Sequence, residues 1–175
     1  MKRHEGLSVI TIEGDEEMKT QGEHEILLEK IREIANSSPF YRHVQMEVTE
    51  FTEHGCVMTM LSETQHTNLY GNTHGGAIAS IADSTCGISL AKVLKPDEYA
   101  MTQHLAVSYL RPAPRGLLRA EGRLISRGRN SAVLEADVFN EAGEIVAHAH
   151  TIHSIRKREG GMAGIAMPMT DNGGS

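Results

Sequence analysis

The stretch Asn68-Leu-Tyr-Gly-Asn-Thr-His-Gly-Gly-Ala-Ile-Ala-Ser-Ile-Ala-Asp83, continued by Ser-Thr-Cys-Gly-Ile-Ser-Leu-Ala91, decides how the rest of the chain must be arranged. A polar, glycine-bearing loop leads into the longest apolar segment of the sequence. Between Gly75 and Ala91 the sole charge is Asp83. The pattern predicts a helix over about 75–93, ended by Lys95-Pro-Asp97. A carboxylate in the middle of such a helix is costly to bury without a partner. Asp83 is therefore either a satisfied polar group or a working one.

The flanking sequence supplies something to cover that helix. Ile26, Leu27, Ile31 and Ile34 recur at helical spacing and predict an amphipathic helix over about 23–36, stopped by Asn36-Ser-Ser-Pro39. Alternation then predicts strands at Val44–Phe51 and Cys56–Leu61, with a hairpin turn at Glu53-His-Gly55. After the central helix come four more strands, at Ala100–Leu110, Leu117–Arg127, Ser131–Phe139 and Glu144–Ile155. Short turns such as Gly128-Arg-Asn130 and Asn140-Glu-Ala-Gly143 make antiparallel neighbours. The expected class is α+β, a curved antiparallel sheet wrapped around one long central helix that is apolar all round. Residues 23–156 form that domain. Residues 1–22 read as a poorly ordered acidic arm, with at most a short strand at Leu7–Ile12, and 157–175 as a mobile tail rich in Gly and Met.

Composition narrows the partners. A chain of 175 residues is most simply one domain. Its formal charge of -6, with no basic cluster, argues against nucleic acid. Cys56 and Cys86 lie too far apart in sequence for a CxxC site and suit a reducing cytoplasm. No apolar run approaches the ~18 residues that cross a bilayer, and Leu7–Ile12 is too short for a signal peptide. Neither membrane nor metal is expected, since His148, His150 and His153 lack further ligands at a suitable spacing.

The loop–helix junction carries the chemistry. Thr73 or Asn72 can cap the helix, and Gly75-Gly76 leaves its first N–H groups uncovered, able to hold an anion or polarise a carbonyl. Asn68 and His74 add side-chain donors nearby. Asp83 lies eight residues beyond Gly75, about 12 Å along the helix. A base and an oxyanion donor serving one carbon must lie closer than that. If both work, Asp83 must meet the Gly75 end of another copy, in an antiparallel homodimer. Ala77, Ala79, Ser80, Ala82, Ser84 and Gly87 are small enough for close approach. Cys86, one turn from Asp83, has no histidine base on its helix and reads as a small buried hydrophobe.

The run from Asn68 through His74-Gly-Gly to Asp83, together with Met101-Thr-Gln-His-Leu-Ala-Val-Ser-Tyr-Leu-Arg-Pro-Ala113, resembles the PaaI-type hotdog-fold acyl-CoA thioesterases over residues 25–155. The resemblance implies the hotdog fold and hydrolysis of an aryl- or fatty-acyl-CoA, with coenzyme A as part of the substrate and no cofactor. It implies Asp83 as nucleophile or general base, the Gly75 N–H on the thioester carbonyl, Asn68 on the substrate side, His74 supporting the loop and Thr102 placing water. Gly76 and Gln103 would touch substrate, and Arg127 and Arg129 would face the CoA phosphates. Strict alternation sets Thr102 opposite Leu105, Val107 and Tyr109, which only a bulge or the strand's start would reconcile. The implied assembly is an obligate homodimer, with a dimer of dimers left open. Two alternatives stand beside this reading: a non-catalytic acyl-CoA-binding module, and a hotdog acyl-thioester hydratase or dehydratase. Against the latter, the central helix has no Glu and no Asp-x-x-x-x-His is present.

Overall fold

The computed structural model describes residues 13–95 and 97–157. Leu7–Ile12 and the tail beyond Lys157 lie outside the described residues. In chain order the elements are α1 (Glu13–Ser37), α2 (Pro39–His43), β1 (Met46–Phe51), β2 (Cys56–Ser62), α3 (Gly75–Ser89), β3 (Glu98–Tyr109), β4 (Gly116–Arg127), β5 (Ser131–Phe139) and β6 (Ile145–Lys157). The six strands form one antiparallel sheet in the order β1-β2-β4-β5-β6-β3. α3 touches all six. This is the hotdog arrangement expected from the sequence.

Four local departures have physical causes. α1 begins at Glu13, ahead of the start that apolar periodicity marks, and its buried face is Leu28, Ile31 and Ala35. Ile26 and Leu27 point to solvent. α2 goes unseen in the sequence because it is one short turn; Pro39 sits in its first turn, where a missing N–H is harmless. β3 does not pair with β4, although only residues 110–115 separate them. That link carries Pro112 and Pro114, which cannot donate to a ladder. Six extended residues reach about 20 Å, enough to clear β6 and β5 at about 4.8 Å per strand.

The last departure concerns α3 itself. Its buried residues, Ile78, Ile81, Ala82, Thr85, Cys86 and Ser89, form a stripe against the sheet. Across it stand Met58, Met60, Leu118, Ala120, Leu134, Ala136 and Ala149, all buried. Each buried Ile contributes roughly 1.5–3 kcal/mol. The opposite stripe, with Gly76, Ala79, Ser80, Asp83 and Gly87, is only partly covered. The expectation of an all-round buried helix fails here, because a single sheet can cover only one side of a cylinder. Ala82 faces the core rather than that outer stripe.

Candidate active site

α3 is capped by His74, not by Thr73 or Asn72. The His74 ring accepts a hydrogen bond at Nδ1 from Gly76 N (2.9 Å), and His74 O accepts from Ala77 and Ile78 N. Thr73 is excluded from capping because its hydroxyl is engaged elsewhere, at 2.7 Å from Ser62 Oγ and donating to Pro114 O. The consequence is selective. Gly76 N–H is occupied by the cap, whereas Gly75 N–H has no acceptor among the described residues and opens the helix dipole outward. A Cβ at Gly75 would press on the Tyr109 ring at 3.2 Å, and the Tyr109 hydroxyl donates to Gly75 O at 2.8 Å.

The loop before the cap is built by Asn68. Its Oδ1 accepts from Tyr70 N and Asn72 N, and its backbone N–H donates to Asn72 O. The side-chain NH₂ makes no bond among the described residues and stays available as a donor. The loop tip puts Leu69 and Tyr70 fully into solvent, 101% and 89% exposed.

Asp83 sits half-buried on the outer stripe of α3. Thr102 Oγ1 donates to Asp83 Oδ1 at 3.0 Å. β3 achieves this by a bulge: Thr102 pairs with His153 and His104 with Ile152, so Gln103 is the extra residue. The bulge resets the alternation and brings Thr102 onto the face of Leu105, Val107 and Tyr109. Gln103 itself is exposed. Burial is the main cause that raises the hydroxyl of Tyr41, on α2, above the usual pKa, with nearby Ser84 lowering it and Asp83 adding to the rise. Asp83 and the open Gly75 N–H remain about 12 Å apart, since α3 is unbroken between them.

A profile of the thioesterase superfamily matches residues 70–147, a span that holds His74, Gly75, Asp83 and Thr102. A solved protein of that superfamily is 32% identical, covers 75% of this chain and 99% of its own, and superposes with a TM-score of 0.68. The chain belongs to the thioesterase superfamily. Two further structures share its fold: a thioesterase of Haemophilus influenzae (22% identity, 74% of this chain and 90% of that one, TM-score 0.69) and a variant of a Pseudomonas aeruginosa thioesterase (19% identity, 75% and 94%, TM-score 0.69). Hydrolysis of thioesters is therefore the reaction class.

Other groups of this thioesterase are placed less centrally. Arg127 is committed to Glu98 at 2.5 Å, while Arg129 is exposed at the same turn. That turn ends the twelve-residue β4, whose start lies beside Ser62 and Thr73, so both arginines sit at the opposite end of β4 from their own Gly75. Burial pushes the Cys56 thiol up to about 11 and Cys86 up to about 12, which makes both poor nucleophiles. His148 is tied to Asp137 at 2.7 Å on the outer face of the sheet. No three His, Cys, Asp or Glu side chains among the described residues group to hold a metal ion. No described helix is long and apolar enough to cross a membrane.

Sequence reading weighed His153 only as a metal ligand and missed its place beside Thr102. It is 1% exposed on β6, with Nδ1 at 3.5 Å from Thr102 Oγ1 and Nε2 at 3.1 Å from Thr151 Oγ1. Burial holds its pKa below the usual histidine range, partly countered by Asp83. Only the β3–β6 register reveals the pairing. His66 was also missed: it is buried, accepts from Glu63 N at Nδ1, and its Nε2 has no partner among the described residues.

Proposed function

We propose that this protein hydrolyses acyl-CoA thioesters as a PaaI-type enzyme, with sites shared between two subunits of a homodimer. The observation that carries the reading is the Thr102–Asp83 hydrogen bond on the open stripe of α3, about 12 Å from an unoccupied Gly75 N–H. A base and an oxyanion donor that are both open yet too far apart in one copy suit completion by a second.

Asp83 takes a proton from water as the water oxygen attacks the thioester carbon. Negative charge gathers on the carbonyl oxygen, where Gly75 N–H of the partner subunit donates from a preoriented helix end. Collapse breaks the C–S bond, giving free acid and the CoA thiol. Direct attack by the carboxylate, through an anhydride, would use the same geometry. Asn68 donates from its free amide at the substrate side, and His74 keeps the Gly75 N–H exposed by capping its neighbour. Of the two arginines, Arg129 is the one open to CoA phosphates.

The dimer reading rests on two surfaces. The outer stripe of α3 is lined with Gly76, Ala79, Ser80 and Gly87, small enough for helices to approach. Beside it, β3 is a twelve-residue edge strand with Met101 and Tyr109 exposed, followed by exposed Leu110, an edge that a second copy can extend. A cytoplasmic setting suits the two free cysteines.

The test is a panel of aryl- and fatty-acyl-CoAs read by thiol release. Asp83→Asn is expected to lower kcat by about a hundredfold to ten-thousandfold, with circular dichroism and sedimentation unchanged. Wild-type kcat in that variant removes the assignment. Tight acyl-CoA binding without thiol release would make the protein a binding module instead.

A further inference from the structure

A line of polar groups runs from Asp83 through the exposed Thr102 to the buried His153 and Thr151, and proton counting gives it a direction. A carboxylate only accepts, so the single proton of Thr102 goes to Asp83 Oδ1 at 3.0 Å. Thr102 Oγ1 can then accept from the ring beside it, a bond that the Nδ1–H form of His153, at 3.5 Å, supplies. A neutral imidazole has one N–H, which leaves Nε2 as an acceptor for the Thr151 hydroxyl at 3.1 Å. Thr151 has a second acceptor, Leu134 O, but at 3.5 Å. With the Thr151 proton on Nε2, the donors from Thr151 through His153 to Thr102 run toward Asp83, and aligned donors polarise one another.

We propose that His153, held as the Nδ1–H tautomer by Thr151, is a positioning residue that turns the Thr102 hydroxyl onto Asp83 and so leaves Asp83 Oδ2 as the oxygen that meets water. This rests on Asp83 being the base. Without the ring, the Thr102 hydroxyl keeps its proton but loses the donor that fixes its lone pairs, and Oδ1 can rotate into the position of Oδ2. Burial favours the uncharged ring, with one donor and one acceptor, that either neutral tautomer requires. His153 is the sole group that joins β6 to Thr102 through a side chain among the described residues.

Kinetics on acyl-CoA and imidazole ¹⁵N NMR of the full-length protein test this. His153→Leu is expected to lower kcat about tenfold, the size of one lost hydrogen bond, with KM little changed. His153→Asn, whose amide can place a donor near the former Nδ1, should recover most of kcat, and His153→Gln should not. In a Thr102→Val background, His153→Leu should have no further effect. The wild-type ring should show the Nδ1–H pattern. Equal losses in Asn and Gln variants, additive losses with Thr102→Val, or an Nε2–H ring each overturn the proposal. The NMR result stands even where a variant fails to fold. If Asp83→Asn is inactive while His153 variants match wild type, only the positioning role fails; if Asp83→Asn is active, the underlying reading fails.

Discussion

Thr102 shows how a single residue changes meaning between sequence and fold. By alternation it belongs on the wrong face of β3, and one bulged residue, Gln103, moves it to Asp83. Thr102→Val keeps shape but removes the donor, so kcat should fall about tenfold while the thermal midpoint moves little. Stopped-flow thiol release and calorimetry check the two halves of that statement. His153 makes a second prediction at this scale. Its folded pKa lies below the ordinary value because the ring is buried, Asp83 pulling the other way. An unfolded histidine protonates near about 6.5, so below that pH the unfolded chain binds more protons. This contribution to stability is present above about pH 6.5 and lost as pH falls. The midpoint should drop on acidification through that window, and less so in His153→Asn.

At the scale of elements, α3 depends on two close approaches. Gly122 on β4 faces the far end of the helix, where a Cβ would lie 2.5 Å from Ser89 Oγ and 2.9 Å from Thr85 Cγ2. Those side chains are held by bonds to Thr85 O and Ile81 O, so they cannot step aside freely. Gly122→Ala should cost about 1–3 kcal/mol in denaturant unfolding. The helix start can be dissected differently. Gly75 is the first helical residue and His74 before it is extended, a setting that accepts proline. Gly75→Ala and Gly75→Pro both press on Tyr109, but only proline removes the N–H. The proline variant should therefore lose far more kcat than the alanine one. Equal kcat in the two would show that this N–H does not act on the carbonyl.

At the scale of the molecule, the separation between Asp83 and Gly75 predicts complementation. Asp83→Asn and Gly75→Pro dimers are each expected to be inactive. Refolded together at equal amounts, they should regain about a quarter of wild-type turnover, because half the dimers are mixed and each holds one intact site. No recovery, with mixed dimers shown by mass spectrometry, would place the whole site in one chain. The outer face of the sheet is built separately, by Arg123 with Glu135 and Asp137. Burial raises the Asp137 pKa, yet bonds from His148 and Arg123 outweigh it and hold the carboxyl below its usual range.

The amino-acid sequence by itself determined what depends on short-range pattern. Alternation marked all six strands, small apolar residues marked α3, and the isolated charge of Asp83 within it pointed to the candidate site. What depends on contacts between distant segments required the tertiary structure. Whether Thr73 or His74 caps α3 turns on Ser62 and Pro114 claiming the threonine hydroxyl. Which side of α3 stays open turns on where the sheet ends. Thr102 and His153 meet because β3 leaves its chain neighbour β4 and pairs with β6, bulged by one residue. Register across a sheet is a long-range choice, set by which buried faces must meet, and no local spacing encodes it.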